Sequence, residues 1–163
     1  MRYHNITKDD MRNGPGLRVV LWVAGCSHHC PHCHNPITWD PNYGLIFDEN
    51  AKKEIFEQLD KDYISGITLS GGDPLFTGNR SEITDLCKEI KEKYPNKTIW
   101  SYTGYNFEQV KMLPVMKYID VLLDGEFKID LFSPEKHWVG SSNQRVIDVQ
   151  KSLKENRIVL FEK

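Results

Sequence analysis

The chain of 163 residues has no stretch approaching the ~20 apolar residues that cross a bilayer. It also lacks an excess of either charge. The 21 Lys and Arg stand against 23 Asp and Glu, a formal net charge of −2. No basic stripe or arginine-rich segment is present, which argues against nucleic-acid binding by counterion release. Met1-Arg-Tyr-His-Asn5 leads into polar residues rather than an apolar signal region, so a cytoplasmic location is expected. Internal repeats, low-complexity tracts and linkers are missing. The length suits one domain, residues 1–163, around one core. A full eight-fold βα barrel, typically ~250 residues, does not fit.

Cysteine is scarce, yet three of the four cysteines crowd one segment, Cys26-Ser-His-His-Cys30-Pro-His-Cys33. The spacing is C-x3-C-x2-C, directly after the apolar run Leu17–Ala24. In a reducing compartment such thiols read as metal ligands rather than disulfides. Three thiolates can hold three irons of a four-iron cluster and leave the fourth iron open for chemistry. Other readings compete. A structural zinc site would need a fourth ligand, which His28, His29, His32 or His34 could supply. Cys30-Pro-His-Cys33-His34 matches the c-type haem attachment pattern, which requires export. A C-x-x-C redox pair leaves Cys26 unexplained. His32, between the second and third cysteines, is placed to lie against a flat heterocycle.

Apolar runs alternate with amphipathic segments along the chain. Leu17–Ala24 is nearly continuous and β-branched, as in a strand buried on both faces. Asp48 caps a helix whose stripe is Ala51, Ile55 and Leu59. A short strand, Ile67–Leu69, runs into Ser70-Gly-Gly-Asp-Pro74. Ser81 is expected to cap a helix with inner residues Ile83, Leu86, Cys87, Ile90 and Tyr94, stopped by Pro95. Thr98–Tyr102 is a third strand, a shorter helix spans Asn106 to Met112, and Ile119–Leu123 is a fourth strand. Arg145–Val149 and Arg157–Phe161 are weaker strand candidates, with a helical turn between them. Strands alternating with helices imply crossover connections and a mainly parallel, curled sheet. Ligands gather at the carboxyl ends of such strands. The cysteine loop, Gly71-Gly-Asp73, Ser101–Gly104 and Asp124-Gly125 all fall there, which predicts one shared site.

Gly71 and Gly72 let backbone approach a ligand closely, and Asp73 adds an acceptor suited to an ammonium group. The same four residues also make an ordinary turn. Asp124-Gly125 is either a plain turn or a route for Asp124 into the shared site. Ser101, Tyr102 and Thr103 offer hydroxyls that either hydrogen-bond a sugar or simply cap the strand end. Cys87 reads as a core residue, as do Trp22 and Trp100, whereas Trp39 and Trp138 are candidates for a partner or the site. Asn143, Gln144 and Arg145 suit the site, a docking surface or a solvated turn.

The C-x3-C-x2-C loop after the first strand, with an aromatic residue just before the third cysteine, resembles the radical S-adenosylmethionine superfamily. Gly71-Gly-Asp73-Pro74 resembles that superfamily's Gly-Gly-Glu motif, with Asp in place of Glu. Asn13-Gly-Pro-Gly-Leu-Arg18, Asp124-Gly-Glu-Phe127 and Gly140-Ser-Ser-Asn-Gln-Arg-Val-Ile-Asp148 are most similar to the activating proteins of anaerobic (class III) ribonucleoside-triphosphate reductases. The resemblance implies an α/β fold, a partial βα barrel forming a single radical SAM domain. It implies that Cys26, Cys30 and Cys33 ligate a [4Fe-4S] cluster whose open iron is chelated by S-adenosylmethionine. Gly71, Gly72 and Asp73 would hold the methionine end, His32 would border the adenine, and Ser101, Tyr102 and Asp124 would contact ribose or methionine. An external electron donor would reduce the cluster. The resulting 5′-deoxyadenosyl radical would take hydrogen from a glycine of the reductase. Activases of other glycyl-radical enzymes and small radical enzymes share this core. A zinc-binding module without catalysis is the reading from another class.

Overall fold

The computed structural model describes residues 1–33 and 36–162. Its elements are β1 Arg2–Asp10, β2 Leu17–Val23, β3 Leu45–Ile46, α1 Glu49–Leu59, β4 Ile64–Gly71, α2 Arg80–Lys93, β5 Thr98–Tyr102, α3 Phe107–Val110, β6 Val121–Asp124, β7 Arg145–Asp148 and α4 Val149–Glu155. All seven strands join one open sheet in the order β3-β1-β2-β4-β5-β6-β7. Among the described residues no helix is long and apolar enough to cross a membrane.

The α/β class is as expected, but the sheet is mixed rather than mainly parallel. The inner strands β2, β4, β5 and β6 pair in parallel. The outer pairings, β1 with β2 and β3 and β6 with β7, are antiparallel. Antiparallel neighbours need no crossover helix, and Met11–Gly16 alone links β1 to β2.

Side-chain alternation divides the sheet into two unlike faces. On one side Val19, Leu21, Val23, Ile67, Leu69, Ile99, Leu122 and Ile147 pack with Ile55 and Leu59 of α1 and Ile83, Leu86 and Ile90 of α2. Each large apolar side chain buried there contributes roughly 1.5–3 kcal/mol. Cys87 belongs to this core, fully buried, with burial pushing its thiol up to about 12. The opposite face carries Arg18, Trp22, Ser70, Trp100 and Tyr102, together with a small cluster of Trp100, Val121, Leu123 and Val139. Arg18 is fully buried there. Its guanidinium donates to Thr68 Oγ1, Thr98 Oγ1, Pro15 O, Ile67 O and Thr98 O at 2.9–3.3 Å. Burial lowers its pKa to about 10.

Local signals explain the helices. Asp48 Oδ1 accepts the Ala51 N–H at 3.0 Å and starts α1. Asp148 does the same for α4 through Lys151 N, and Asn156 ends α4 in the left-handed region. The helix expected from Ser81 starts at Arg80. Asn79 precedes it, and its side chain is turned to Ala24 O at 2.8 Å instead of capping. The Asn106–Met112 helix is a single turn, α3, whose first N–H is held by Asp124 Oδ2 at 2.8 Å. The candidate strand Arg157–Phe161 makes only an isolated bridge, Ile147 to Leu160.

Candidate metal and nucleoside site

The four parallel strands present their carboxyl ends on one rim, and the loops that follow them enclose a cavity of about 540 Å³. Cys26, Cys30 and Cys33 line it together with Gly71, Gly72, Thr103, Gly104 and Gly125 to Phe127. The four loops that follow the parallel strands therefore share one cavity, each with at least one residue on its wall. Tyr102, Trp22 and Ser70 reach it from the strands, and Trp138 and Gln144 close another wall. Trp22, expected in the core, is half-buried at the cavity, because it lies on the face away from the helices; its indole N–H bonds Thr7 Oγ1.

The cysteine loop is sewn to its surroundings by backbone. Gly25 N donates to Thr38 O at 2.7 Å and Cys26 N to Trp39 O at 3.0 Å. His29 stacks on Trp39 with ring centres 4.6 Å apart. Gly72 must lack a side chain, since a Cβ there would lie 2.5 Å from Gly25 O and 2.7 Å from Thr38 O. Burial raises the pKa of Cys26 against the pull of N–H groups from His28 and His29. Burial likewise raises that of Cys30, with Glu126 adding to it and the Phe127 N–H opposing it.

None of the four cysteines is in a disulfide. Among the described residues, no three His, Cys, Asp or Glu side chains gather as they would around a single metal ion. That disfavours a closed zinc site, although His34 lies outside the described residues. A cluster spreads its irons, so its thiolates need not converge on one point. Three thiols on one cavity wall, N–H donors aimed at two of the sulfurs, and a volume within the usual ~300–1,000 Å³ of small-molecule sites suit a four-iron cluster with a ligand beside it.

The other sequence candidates divide. Gly71, Gly72 and Tyr102 line the cavity; the Tyr102 hydroxyl donates to Trp138 O at 2.6 Å, and burial pushes its pKa up. Ser101 is fully buried on the helix-facing side and bonds Tyr102 O. Asp124 is fully buried behind the wall, where it accepts from Phe107 N and from the Arg145 guanidinium at 2.6 Å. His32 is exposed, in the left-handed region at φ 60°, and is not among the lining residues. Asp73 is 1% exposed and also stands behind the wall. Of the later trio, Gln144 lines the cavity and its Oε1 accepts from Gly140 N and Ser141 N, while Asn143 Nδ2 holds Glu126 O.

Two residues in the wall were not singled out by spacing. His28 packs edge-on against Tyr105, with Nε2 2.9 Å from Asp73 Oδ2 and Nδ1 3.2 Å from Glu126 Oε1. The contact with Asp73 raises its pKa above the ordinary value against burial, and Glu126 adds to the rise. Gly104 makes the seat, since a Cβ there would lie 2.5 Å from the His28 ring. The signal for His28 was its place within the cysteine loop; Glu126 lies in the Asp124-Gly-Glu-Phe127 motif, whose sequence does not say which of its side chains faces the cavity.

Comparison with known proteins agrees with this site. The 4Fe-4S single cluster domain family matches residues 12–147. The chain is 47% identical over 146 residues to the anaerobic ribonucleoside-triphosphate reductase-activating protein of Enterobacteria phage T4, covering 90% of this chain and 93% of that one. It is 42% identical over 150 residues to the protein of that name from Escherichia coli, covering 90% and 97%. To the Pasteurella multocida protein it is 38% identical over 150 residues, covering 88% and 95%.

Proposed function

Because this chain belongs to the 4Fe-4S single cluster domain family and, within it, to the anaerobic ribonucleoside-triphosphate reductase-activating proteins, we propose that it activates an anaerobic ribonucleoside-triphosphate reductase. It is a radical SAM activating enzyme, and its cofactors are a [4Fe-4S] cluster and S-adenosylmethionine. When bound, these supply the reductive cleavage to methionine and a 5′-deoxyadenosyl radical, which takes hydrogen from a glycine of the reductase and leaves a stored glycyl radical there.

The protein's own part is to hold and shield. Cys26, Cys30 and Cys33 would ligate the cluster. Gly71 and Gly72 bring backbone to the methionine end, and Asp73 fixes that turn from behind. Tyr102 borders the nucleoside, Ser101 and Asp124 brace the strand ends, and His32 stands at the outer side of the loop, where it would meet an adenine reaching past the rim. We read residues 1–163 as one radical SAM domain, a partial βα barrel whose uncovered side the reductase closes. The electron comes from an external donor. No nucleic acid or membrane takes part, and the cytoplasm keeps the thiols reduced.

The observation that carries this reading is the placement of all three loop cysteines on one cavity wall beside the Gly71-Gly72 turn. The test is to mix the reconstituted protein with reductase, S-adenosylmethionine and a chemical reductant, then record the radical by electron paramagnetic resonance. The expected signal is a glycyl radical on the reductase, absent from a reductase truncated before its glycine loop. A signal of the same size on the truncated partner would contradict the reading.

A further inference from the structure

Arg12 stands immediately before the Asn13-Gly-Pro-Gly-Leu-Arg18 string. It is the only Lys or Arg among the described residues that line the cavity. Its side chain is exposed, and among the described residues its guanidinium meets no hydrogen-bond acceptor, carboxylate or aromatic ring. The loop that carries it is nonetheless fixed. Asp10 Oδ1 accepts Arg12 N at 2.8 Å and Asn13 N at 3.0 Å. Asn13 Nδ2 donates to the two Asp10 oxygens at 3.1 and 3.2 Å. Asn13 O takes the Thr68 hydroxyl, which Arg18 Nε holds in turn at 2.9 Å. A held main chain thus presents a free cation with five donors at the cavity.

Its level along the sheet decides what it can meet. The cysteine loop and the Gly71-Gly72 turn follow the carboxyl ends of β2 and β4. Asn13 is tied to Thr68, three residues before Gly71, which is ~10 Å back along the strand at ~3.3 Å per residue. A carboxylate chelated to the open iron belongs to the cysteine end. Arg12 stands toward the other end, beside Asn13, Tyr102 and Trp138, which are linked through the Tyr102 hydroxyl. With the cofactor anchored at the rim, this wall is left for the reacting partner. That partner offers a glycine, which has no side chain to grip, so its loop is held through main-chain carbonyls and flanking residues. A guanidinium fork suits such oxygens.

We propose that Arg12 docks the glycine loop of the reductase, its guanidinium donating hydrogen bonds to main-chain carbonyl oxygens beside the glycine that gives up hydrogen. Arg12 serves the protein substrate and not the cofactor. The inference rests on the reading that a reductase glycine enters this cavity next to S-adenosylmethionine.

The test compares the reconstituted protein with Arg12→Gln, Arg12→Lys and a charge control, Lys53→Gln, exposed on α1 at the helix side of the sheet. Glycyl radical on the whole reductase is recorded by electron paramagnetic resonance against reductase concentration, and S-adenosylmethionine affinity by calorimetry. For Arg12→Gln the half-saturating reductase concentration should rise about tenfold, as for a lost hydrogen bond from a charged group, with iron content and S-adenosylmethionine affinity unchanged. Arg12→Lys should recover part of the loss, because it keeps the charge without the fork. Lys53→Gln should alter neither quantity. An unchanged half-saturation in Arg12→Gln would overturn the proposal. So would an equal rise in Lys53→Gln, which would mean long-range attraction alone, or a matching loss of S-adenosylmethionine affinity, which would put Arg12 on the cofactor. If the unsubstituted protein binds S-adenosylmethionine yet leaves no glycyl radical on the reductase, the reading of its partner fails, and this inference with it.

Discussion

Replacing Arg18 by Met should unfold the molecule more readily by an amount that its contacts set. The guanidinium is fully buried, and among the described residues no carboxylate is in ion-pair contact with it. Its donors satisfy Ile67 O and Thr98 O on two neighbouring strands and Pro15 O in the loop before β2. Methionine fills most of the volume and restores apolar contact, but these carbonyls and the Thr98 hydroxyl lose their donor. At about 1 kcal/mol for each buried acceptor left unpaired, the loss is about 3–5 kcal/mol. That is a large share of the ~5–15 kcal/mol that holds a domain folded. Urea denaturation of the reduced, metal-free protein followed by circular dichroism would measure it, with the midpoint expected to fall by about 2 M. Asn13, which the Thr68 hydroxyl also holds through its carbonyl, lines the cavity, so ligand binding should weaken in parallel. A loss below about 1 kcal/mol would refute the reasoning. It would mean that the cost of desolvating the charge cancels its hydrogen bonds.

Alanine at Cys26, Cys30 or Cys33 should abolish the four-iron cluster, seen as lost iron and brown colour, whereas Cys87→Ala should keep the cluster and cost about 1–2 kcal/mol of stability. Gly104→Ala should drive the His28 ring from its seat, and calorimetry should find weaker S-adenosylmethionine binding with cluster content retained. The Arg145 guanidinium holds the Glu108 carboxyl below its ordinary pKa. The stability Glu108 contributes is therefore present above its unfolded value and lost as pH falls through the lower folded value. A Glu108→Gln variant should show a shallower acid loss between about pH 5 and 3 in thermal melts, by a small amount because the carboxylate is exposed.

Much of the architecture was legible where one physical signal dominates. Thr98–Tyr102 and Leu17–Val23 are largely buried on both faces and rich in β-branched and aromatic residues, and the Asp48 cap with its four-residue stripe admits one reading. The strand β1 was not visible, because Arg2–Asp10 is mostly polar and only Ile6 is buried along it. β3 has two residues, both exposed, and is held by pairing to β1 alone. In the site, the shared rim was readable from strand ends, but which hydroxyl and which carboxylate face the cavity was not. Ser101 and Tyr102 are adjacent in a strand and so point to opposite faces, a parity that excludes one of them. The burial of Asp73 and Asp124 depends on partners thirty and twenty-one residues away in sequence, Thr103 and Arg145. Long-range pairing of that kind leaves no local trace.

The central claim is that three cysteines hold a four-iron cluster whose open iron takes S-adenosylmethionine. Its most direct test is anaerobic reconstitution with iron and sulfide, reduction, and electron paramagnetic resonance with and without S-adenosylmethionine. The account predicts a [4Fe-4S]⁺ signal whose shape changes when the ligand is added. A colourless protein with stoichiometric zinc, or a cluster signal indifferent to the ligand, would contradict it.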